Sequence, residues 1–162
     1  MALARTLALA ALPFLAACGA ANSAEVLEPV RATEQAQLQA IASKDLRGAT
    51  RNYAENATLV SPGEAPVSGI AAIEVAFKPL LADPHLKLEV TPGEGWVAES
   101  GELVVTTSTG KLTTTDPATG QPVTVPIANQ TVWRRADGIG WQIVSDYNVA
   151  LPAEAAGAAT AG

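Results

Sequence analysis

One carboxylate in this sequence has surroundings suited to chemistry. Asp146 lies in a segment that alternates like a β-strand, and a carboxylate held in a cavity there could act as a base or anchor a ligand. The alternatives are a solvated strand residue or a cap to a neighbouring loop. Strict alternation places Asp146 with Gln142 and Asn148, opposite a bulkier face. The bulky face is the one expected to be covered by other elements, so alternation predicts that Asp146 faces solvent.

Two aromatic residues are candidates for lining a pocket. Tyr53 and Trp133 suit such a role because ligand sites are mostly apolar and aromatic, with few polar groups. The alternative is that both are core residues. Ser61 and Asp146 form no catalytic triad, since no histidine is available between them. The G-x-S-x-G motif of serine hydrolases is absent from the sequence.

Composition excludes several other classes of site. The 162 residues include one cysteine and one histidine, too few for a multi-histidine or cysteine–histidine metal site. The sequence has no phosphate-binding glycine loop and no dinucleotide fingerprint, so we expect neither cofactor nor metal. The net charge is −6, and no basic stripe is present that could contact phosphates. Nucleic acid is therefore not an expected partner.

The N-terminus is typical of an export signal. Arg5 precedes an apolar run over residues 7–17, which has the proportions of a secretory signal peptide. The run ends in Leu-Ala-Ala-Cys, which resembles the lipobox of bacterial lipoproteins, and Cys18 would then be lipidated. Residues 1–17 are thus predicted as a signal peptide and 18–25 as a lipidated tether. By resemblance to Gram-negative lipoproteins, Gly19 in place of aspartate favours the periplasmic side of the outer membrane.

The remaining chain reads as one domain of helices followed by strands. Residues 152–162 carry almost no bulky side chain and so can bury little apolar area. We therefore predict a disordered tail after a folded region at 26–151. Pro29 is expected in the first turn of the first helix, and Asp45 is expected to be the N-cap of the second helix. Helices are predicted at 27–42, 46–54 and from 68 or 69 to about 81; strands at 57–60, 86–90, 103–115, 123–133 and 141–149. This order predicts an α+β fold with helices on one sheet face.

Several segments resemble one superfamily when taken in order. Residues 43–73 contain a D-L turn, a Tyr-Ala pair, an A-T-hydrophobic strand, a Pro-Gly turn and G-x-x-A-I. Residues 101–103 and the hairpin TVWRRADGIGWQIVSDYN continue the pattern. Together they resemble the SnoaL-like, ketosteroid-isomerase-like superfamily. That resemblance implies a cone of three N-terminal helices on a curved, mostly antiparallel sheet, and suggests a homodimer. Many SnoaL-like proteins also carry a polar or acidic residue where Asp146 stands.

The resemblance also shows which isomerase groups are missing. Ser61 stands where ketosteroid isomerases carry their proton-shuttling aspartate, and a serine hydroxyl cannot shuttle a proton without a partner base. The oxyanion tyrosine falls at about Gln37, and the second oxyanion acid falls near Asn129 or Gln130. Steroid isomerisation by that mechanism is therefore not expected.

Three functions stay open from the sequence. The first is a small-molecule binder, with a pocket formed by Tyr53, Ser61, Gln130, Trp133 and Asp146 and a small apolar or amphipathic ligand. The second is an enzyme of another class, an isomerase, cyclase or hydrolase, that uses Asp146 as its acid–base. The third is a dimeric assembly module. A closed pocket around a carboxylate with raised pKa would favour the second, and a cavity filled with side chains the third.

Overall fold

The computed structural model describes residues 23–152. Three helices precede most of the sheet. In chain order the elements are α1 (Ser23–Ala42), α2 (Leu46–Thr50), β1 (Tyr53–Val60), β2 (Val67–Ser68), α3 (Ile70–Ala82), β3 (Lys87–Val97), β4 (Leu103–Thr115), β5 (Pro122–Ala136) and β6 (Gly140–Ala150). The predicted order of helices and strands is confirmed except for β2, which was not predicted and includes Ser68, one of the two expected first residues of the third helix.

The strands form one open sheet in the order β2-β1-β6-β5-β4-β3. All neighbours are antiparallel except β1 and β6, which run parallel. The long hairpins β3–β4, β4–β5 and β5–β6 follow directly from the turns between them, since two-stranded antiparallel pairs need only short connections. The α+β class, with three helices against a mostly antiparallel sheet, agrees with the prediction.

The helices cover one face of the sheet and form the core with it. The residues that are almost fully buried alternate along the strands and recur on the helix faces, and they include Val30, Ile73, Phe77, Val104, Trp133 and Ile143. The edge of Tyr53 packs against Phe77, with ring centroids 6.0 Å apart. On the other face of β6, Tyr147 and Val149 remain about half exposed. Over residues 23–152, the sheet is therefore covered on one side only.

A β-bulge in β6 overturns the predicted alternation. Val132 pairs with Ser145, whereas the next residue, Trp133, pairs with Ile143, so Val144 is an extra residue on β6. Such an insertion reverses which side chains face inward beyond it. Ile143 and Asp146 therefore both point toward the helices, with exposures of 0% and 8%. The prediction that Asp146 lies on the face opposite Ile143 is wrong.

The second helix is shorter than predicted. The spacing of Leu46, Ala49 and Tyr53 indicated a helix to residue 54, but α2 ends at Thr50 and Tyr53 is the first residue of β1. The backbone N–H of Ile143 donates to the carbonyl of Asn52 at 2.8 Å, so pairing with β6 begins there. Parallel pairing with a distant strand thus overrides a local helical pattern.

The ends of the helices differ from expectation in three details. α1 covers Ser23–Ala42, so it includes residues 23–25 of the predicted tether, and Pro29 lies inside the helix and not in its first turn. Asp45 occupies the N-cap position of α2, but its side chain makes no capping hydrogen bond. Pro79 lies inside α3, which ends at Ala82, close to the predicted end at about residue 81.

The predicted signal peptide, Cys18 and most of the predicted tail at 152–162 lie outside the described residues. Within residues 23–152, no helix is both long enough and apolar enough to span a bilayer.

Candidate functional site

A cavity of about 1200 Å³ lies between the helices and the inner face of the sheet. Its wall is largely apolar and draws on α1, α3 and the long strands; examples are Leu38, Phe77, Leu80, Leu88, Leu112 and Ile127. The turn after β1 contributes Ser61 and Pro62 to the lining. The volume exceeds the 300–1,000 Å³ or so that is usual for small-molecule sites. The cone is therefore hollow.

Asp146 is the most deeply placed charged group in this cavity. It lines the cavity yet is only 8% exposed. Its Oδ2 accepts a short hydrogen bond from the hydroxyl of Tyr53, and its Oδ1 accepts from Nδ2 of Asn129 at 2.7 Å and from Nδ2 of Asn148 at 3.0 Å. β1, β5 and β6 each supply part of this cluster, so only the folded sheet assembles it.

Burial changes the protonation behaviour of both Asp146 and Tyr53. Desolvation raises the pKa of Asp146 above its ordinary value, and the negative charge of Glu34 adds to the rise, while the bonds from Tyr53, Asn129 and Asn148 act against it. Desolvation also raises the pKa of Tyr53 well above its ordinary value, helped by the charge of Asp146. Tyr53 therefore stays protonated and acts as a donor.

The amide side chains hold a fixed orientation around Asp146. Asn129 also donates to Oδ1 of Asn148 at 3.1 Å, and its own Oδ1 accepts from the hydroxyl of Thr131 at 3.0 Å. Each amide oxygen thus has a donor, and the amide nitrogens are left to face the carboxylate. A ligand entering the cavity would meet a carboxylate whose neighbours are already set as donors.

A second polar cluster lies on the α1 side of the cavity. Glu34 forms an ion pair with Arg31 at 2.9 Å and accepts a short bond from the hydroxyl of Thr106. Thr106 in turn accepts from the indole N–H of Trp133 at 3.0 Å. Both Arg31 and Glu34 line the cavity. The cluster joins α1 to β4 and β5, and it fixes a second carboxylate in the wall.

The structure brings three of the five predicted pocket residues together. Tyr53, Ser61 and Asp146 line the cavity, with Ser61 in the turn at its edge. Trp133 is fully buried in the core against Thr106 and does not line it. Gln130 is exposed and lines a shallow groove on the opposite face of the sheet, because its neighbour Asn129 points inward. Any ligand-binding role of these residues stays a prediction.

Glu34 and Asn148, which hold part of the polar network of the cavity, were not predicted as pocket residues from the sequence. Glu34 is one of several acids on α1, and nothing in the sequence distinguishes it from Glu28 before its bond to Thr106 is seen. Asn148 shares a face with Asp146 by alternation, which could have identified it as a partner. Gln37, placed by the resemblance at the isomerase tyrosine position, does line the cavity, and its amide donates to the carbonyl of Ala49 at 2.9 Å.

The carboxylates of the described region do not form a metal site. Over residues 23–152, no group of three or more His, Cys, Asp or Glu side chains is close enough to hold a metal ion. The polar groups of the cavity are instead arranged as hydrogen-bond partners.

A hollow cone of helices on a curved sheet, with a buried polar cluster in its cavity, defines the class of this domain. A model of the SnoaL-like domain family matches residues 35–145. The chain therefore belongs to the SnoaL-like domain family. No curated protein matches the sequence.

Solved structures agree on the fold. A ketosteroid isomerase-like protein from Erwinia carotovora atroseptica superposes with a TM-score of 0.70 at 19% identity, covering 79% of this chain and 98% of the other. An uncharacterised protein with a cystatin-like fold from Caulobacter vibrioides gives 0.71 at 15% identity, covering 83% and 95%. A nuclear transport factor 2-like superfamily protein from Salmonella enterica serovar Typhimurium gives 0.66 at 15%, covering 80% and 93%. At these identities the likeness concerns the fold alone.

Proposed function

We propose that this protein binds a small, mostly apolar molecule inside the cone, with the polar end of that molecule at the cluster of Asp146 and Tyr53. The observation that carries the proposal is the cavity of about 1200 Å³, which is lined by apolar side chains and holds one deeply buried polar cluster. Protein interiors otherwise pack densely, with few voids larger than a water molecule. A space of this size therefore favours a binding role over a purely assembly role.

Ketosteroid isomerisation is not the activity proposed. Ser61 occupies the turn at the cavity edge where the resemblance implies the isomerase base, and its hydroxyl has no histidine or lysine partner among the described lining residues. Although one similar structure comes from a protein named ketosteroid isomerase-like, its identity to this chain is 19%, which supports the fold and not the activity.

A second candidate is an enzyme of another class that uses Asp146 for proton transfer. It is favoured by one observation: Asp146 is buried at the cavity wall, where burial raises its pKa above the ordinary value, and such shifted groups cluster at catalytic sites. Tyr53 beside it would hydrogen-bond to an oxygen of the substrate or hold Asp146 in place. Turnover of a bound compound that Asp146→Asn abolishes would move this candidate ahead of binding alone.

The location proposed for the domain is the periplasmic side of the outer membrane, anchored through Cys18. Cys18 is the one cysteine of the chain, and it follows an apolar run in the lipobox-like sequence Leu-Ala-Ala-Cys. Several acyl chains on one residue would give stable anchoring, whereas one chain binds only marginally. The apolar ligand would then be available from, or delivered to, the adjacent membrane.

Native mass spectrometry of the full chain purified from its own membrane tests these proposals together. We expect a reproducible mass excess of a few hundred daltons that is lost on denaturation, because a ligand filling part of the cavity has about that mass. The denatured mass would additionally carry acyl groups on Cys18, and the native mass would distinguish a monomer from the expected homodimer. A clean ligand-free spectrum from several growth conditions would contradict ligand binding, and an unmodified Cys18 would contradict the anchor.

A further inference from the structure

The charges that line the cavity are strongly one-sided. Among the lining residues that the structure describes, four carboxylates face it, from Glu28, Glu34, Glu64 and Asp146, against the single guanidinium of Arg31. Glu28 and Glu64 are exposed and therefore lie toward solvent, whereas Glu34 is partly buried and Asp146 is 8% exposed. In a wall whose uncharged part is largely apolar, charges interact more strongly than they do in water. The cavity is thus expected to repel an anion.

Arg31, the one cation in the described part of the lining, already binds groups of the protein itself. Arg31 donates to Glu34 at 2.9 Å, and its other guanidinium nitrogen donates to the carbonyls of Gly93 at 2.6 Å and Glu94 at 3.0 Å. A third carbonyl, that of Thr107, lies at 3.4 Å. These bonds hold α1 against the bulged part of β3. Arg31 therefore has little donor capacity left for a carboxylate or phosphate of a ligand.

Asp146, in contrast, has hydrogen bonds but no counter-charge. Its partners are the phenol of Tyr53 and the amides of Asn129 and Asn148, all of which are neutral donors. Among the described residues, none with a positive charge forms an ion pair with it. Burying a carboxylate without a cation costs free energy. A cationic group of a ligand that reached Asp146 would supply the missing counter-charge and offset part of that cost.

We propose that the cavity selects ligands that carry a protonated amine on an apolar body, with the nitrogen seated against Asp146, over ligands that end in a carboxylate. This inference rests on the proposed binding function and names the class of ligand. The apolar wall gives affinity that does not depend on the end group, since it scales with the apolar area buried. The charge of the wall then decides between end groups.

The test uses three probes that share one tricyclic apolar body and differ at one carbon: dehydroabietylamine, dehydroabietinol and dehydroabietic acid. Their dissociation constants for the full chain are measured by isothermal titration calorimetry at neutral pH, where the amine is charged and the acid is ionised. We expect the amine to bind about tenfold or more tighter than the acid, with the alcohol between them.

Two variants and a control identify the groups responsible. Asp146→Asn should bring the affinities of amine and alcohol together, whereas Asp137→Asn, in the exposed β5–β6 turn, should leave all three unchanged. Should Asp146→Asn not fold, Glu34→Gln provides an independent check. It removes one negative charge from the wall and leaves the charge of Arg31 without its carboxylate partner, so the acid should bind at least about fivefold tighter than to the wild type.

The outcomes separate the selectivity from the binding function. Equal affinities for the three probes, or tighter binding of the acid, would overturn the amine preference and leave ligand binding intact. An amine preference that Asp146→Asn does not reduce would overturn the role of Asp146. Failure of all three probes to bind would contradict the proposed function itself, and the amine preference with it.

Discussion

The chemistry of the site depends on the protonation of two hydrogen-bonded acidic groups, the carboxyl of Asp146 and the hydroxyl of Tyr53. Asp146 is pulled in opposite directions, since desolvation raises its pKa while three hydrogen bonds lower it, and desolvation is the largest of these effects. Tyr53 is held protonated by the same burial. Tyr53 is therefore the hydrogen-bond donor and Asp146 the acceptor. Removing the hydroxyl of Tyr53 should change the pKa of Asp146.

Tyr53→Phe should raise the pKa of Asp146 further. The substitution removes the hydroxyl that stabilises the carboxylate form and keeps the ring that packs on Phe77. The measurement is the pH titration of the Asp146 carboxyl carbon by NMR. Tyr147→Phe is a matched control, because Tyr147 is the other tyrosine of the chain and is half exposed on the opposite sheet face. An unchanged midpoint in Tyr53→Phe would show that the hydroxyl does not stabilise the carboxylate.

At the scale of elements, one side chain ties the end of α3 to the end of β4. Asp83 accepts from the backbone N–H of Thr115 at 2.8 Å, from the Thr115 hydroxyl at 2.8 Å and from the backbone N–H of His85 at 2.7 Å. Nδ1 of His85 lies 3.0 Å from the same hydroxyl. The hydrogen bond from the Thr115 backbone is the main cause that lowers the pKa of Asp83. The bonds of Asp83 to Thr115 and His85, here called the Asp83 clamp, are therefore strongest when the carboxylate is ionised.

Loss of this clamp should give a pH-dependent change in stability. A carboxylate with a lowered folded-state pKa stabilises the fold above its unfolded pKa of about 3.9, and the benefit disappears as pH falls through the folded value. Asp83→Asn should therefore lower the free energy of unfolding at neutral pH, and the difference from wild type should shrink in acid. Urea unfolding between neutral pH and about pH 2 would measure this difference.

The exposed Asp137 of the β5–β6 turn provides the control for Asp83. Asp137→Asn should follow the wild type at every pH, because its side chain links no two elements. A stability difference for Asp83→Asn that stays constant down to acid would contradict the assignment of the clamp to the ionised carboxylate.

For the whole molecule, the important feature is that part of the core lies away from the cavity. Val104, Trp133 and Ile143 are fully buried and lie outside the cavity lining, whereas Tyr53 and Phe77 belong to both the core and the wall. The rest of the wall is formed by other side chains of the same helices and strands, some of them small. A molecule built in this way can keep an empty volume because the packed part of the cone supports it.

Filling the cavity should therefore reduce binding without unfolding the protein. Ala76 lines the cavity on α3, and Ala76→Leu would occupy part of the volume and bury additional apolar area. We expect weaker binding of dehydroabietylamine, by about tenfold, and a melting temperature equal to or above that of the wild type. Ala71→Leu adds the same group to the exposed face of the same helix and should leave the affinity unchanged. Unchanged binding in Ala76→Leu would place the ligand elsewhere.

The sequence by itself determined the fold class and, apart from β2, the order of elements. These follow from local signals: the helical spacing before residue 82, the alternation after residue 86, and the turns at 116–120 and 136–140. The family was indicated by the resemblance of the ordered motifs in residues 43–73 and 131–148. Tyr53, Ser61 and Asp146 could also be chosen as lining residues from type and position.

Only the tertiary structure decided which side chains face the cavity. The extra Val144 in β6 turns Asp146 inward. This bulge arises from the pairing of β6 with β5, so the local sequence does not indicate it. Pairing with β6 likewise draws Tyr53 into β1, and the bond to Thr106 singles out Glu34 among the acids of α1. In each case the deciding contact joins residues far apart in the chain, where local periodicity carries no information.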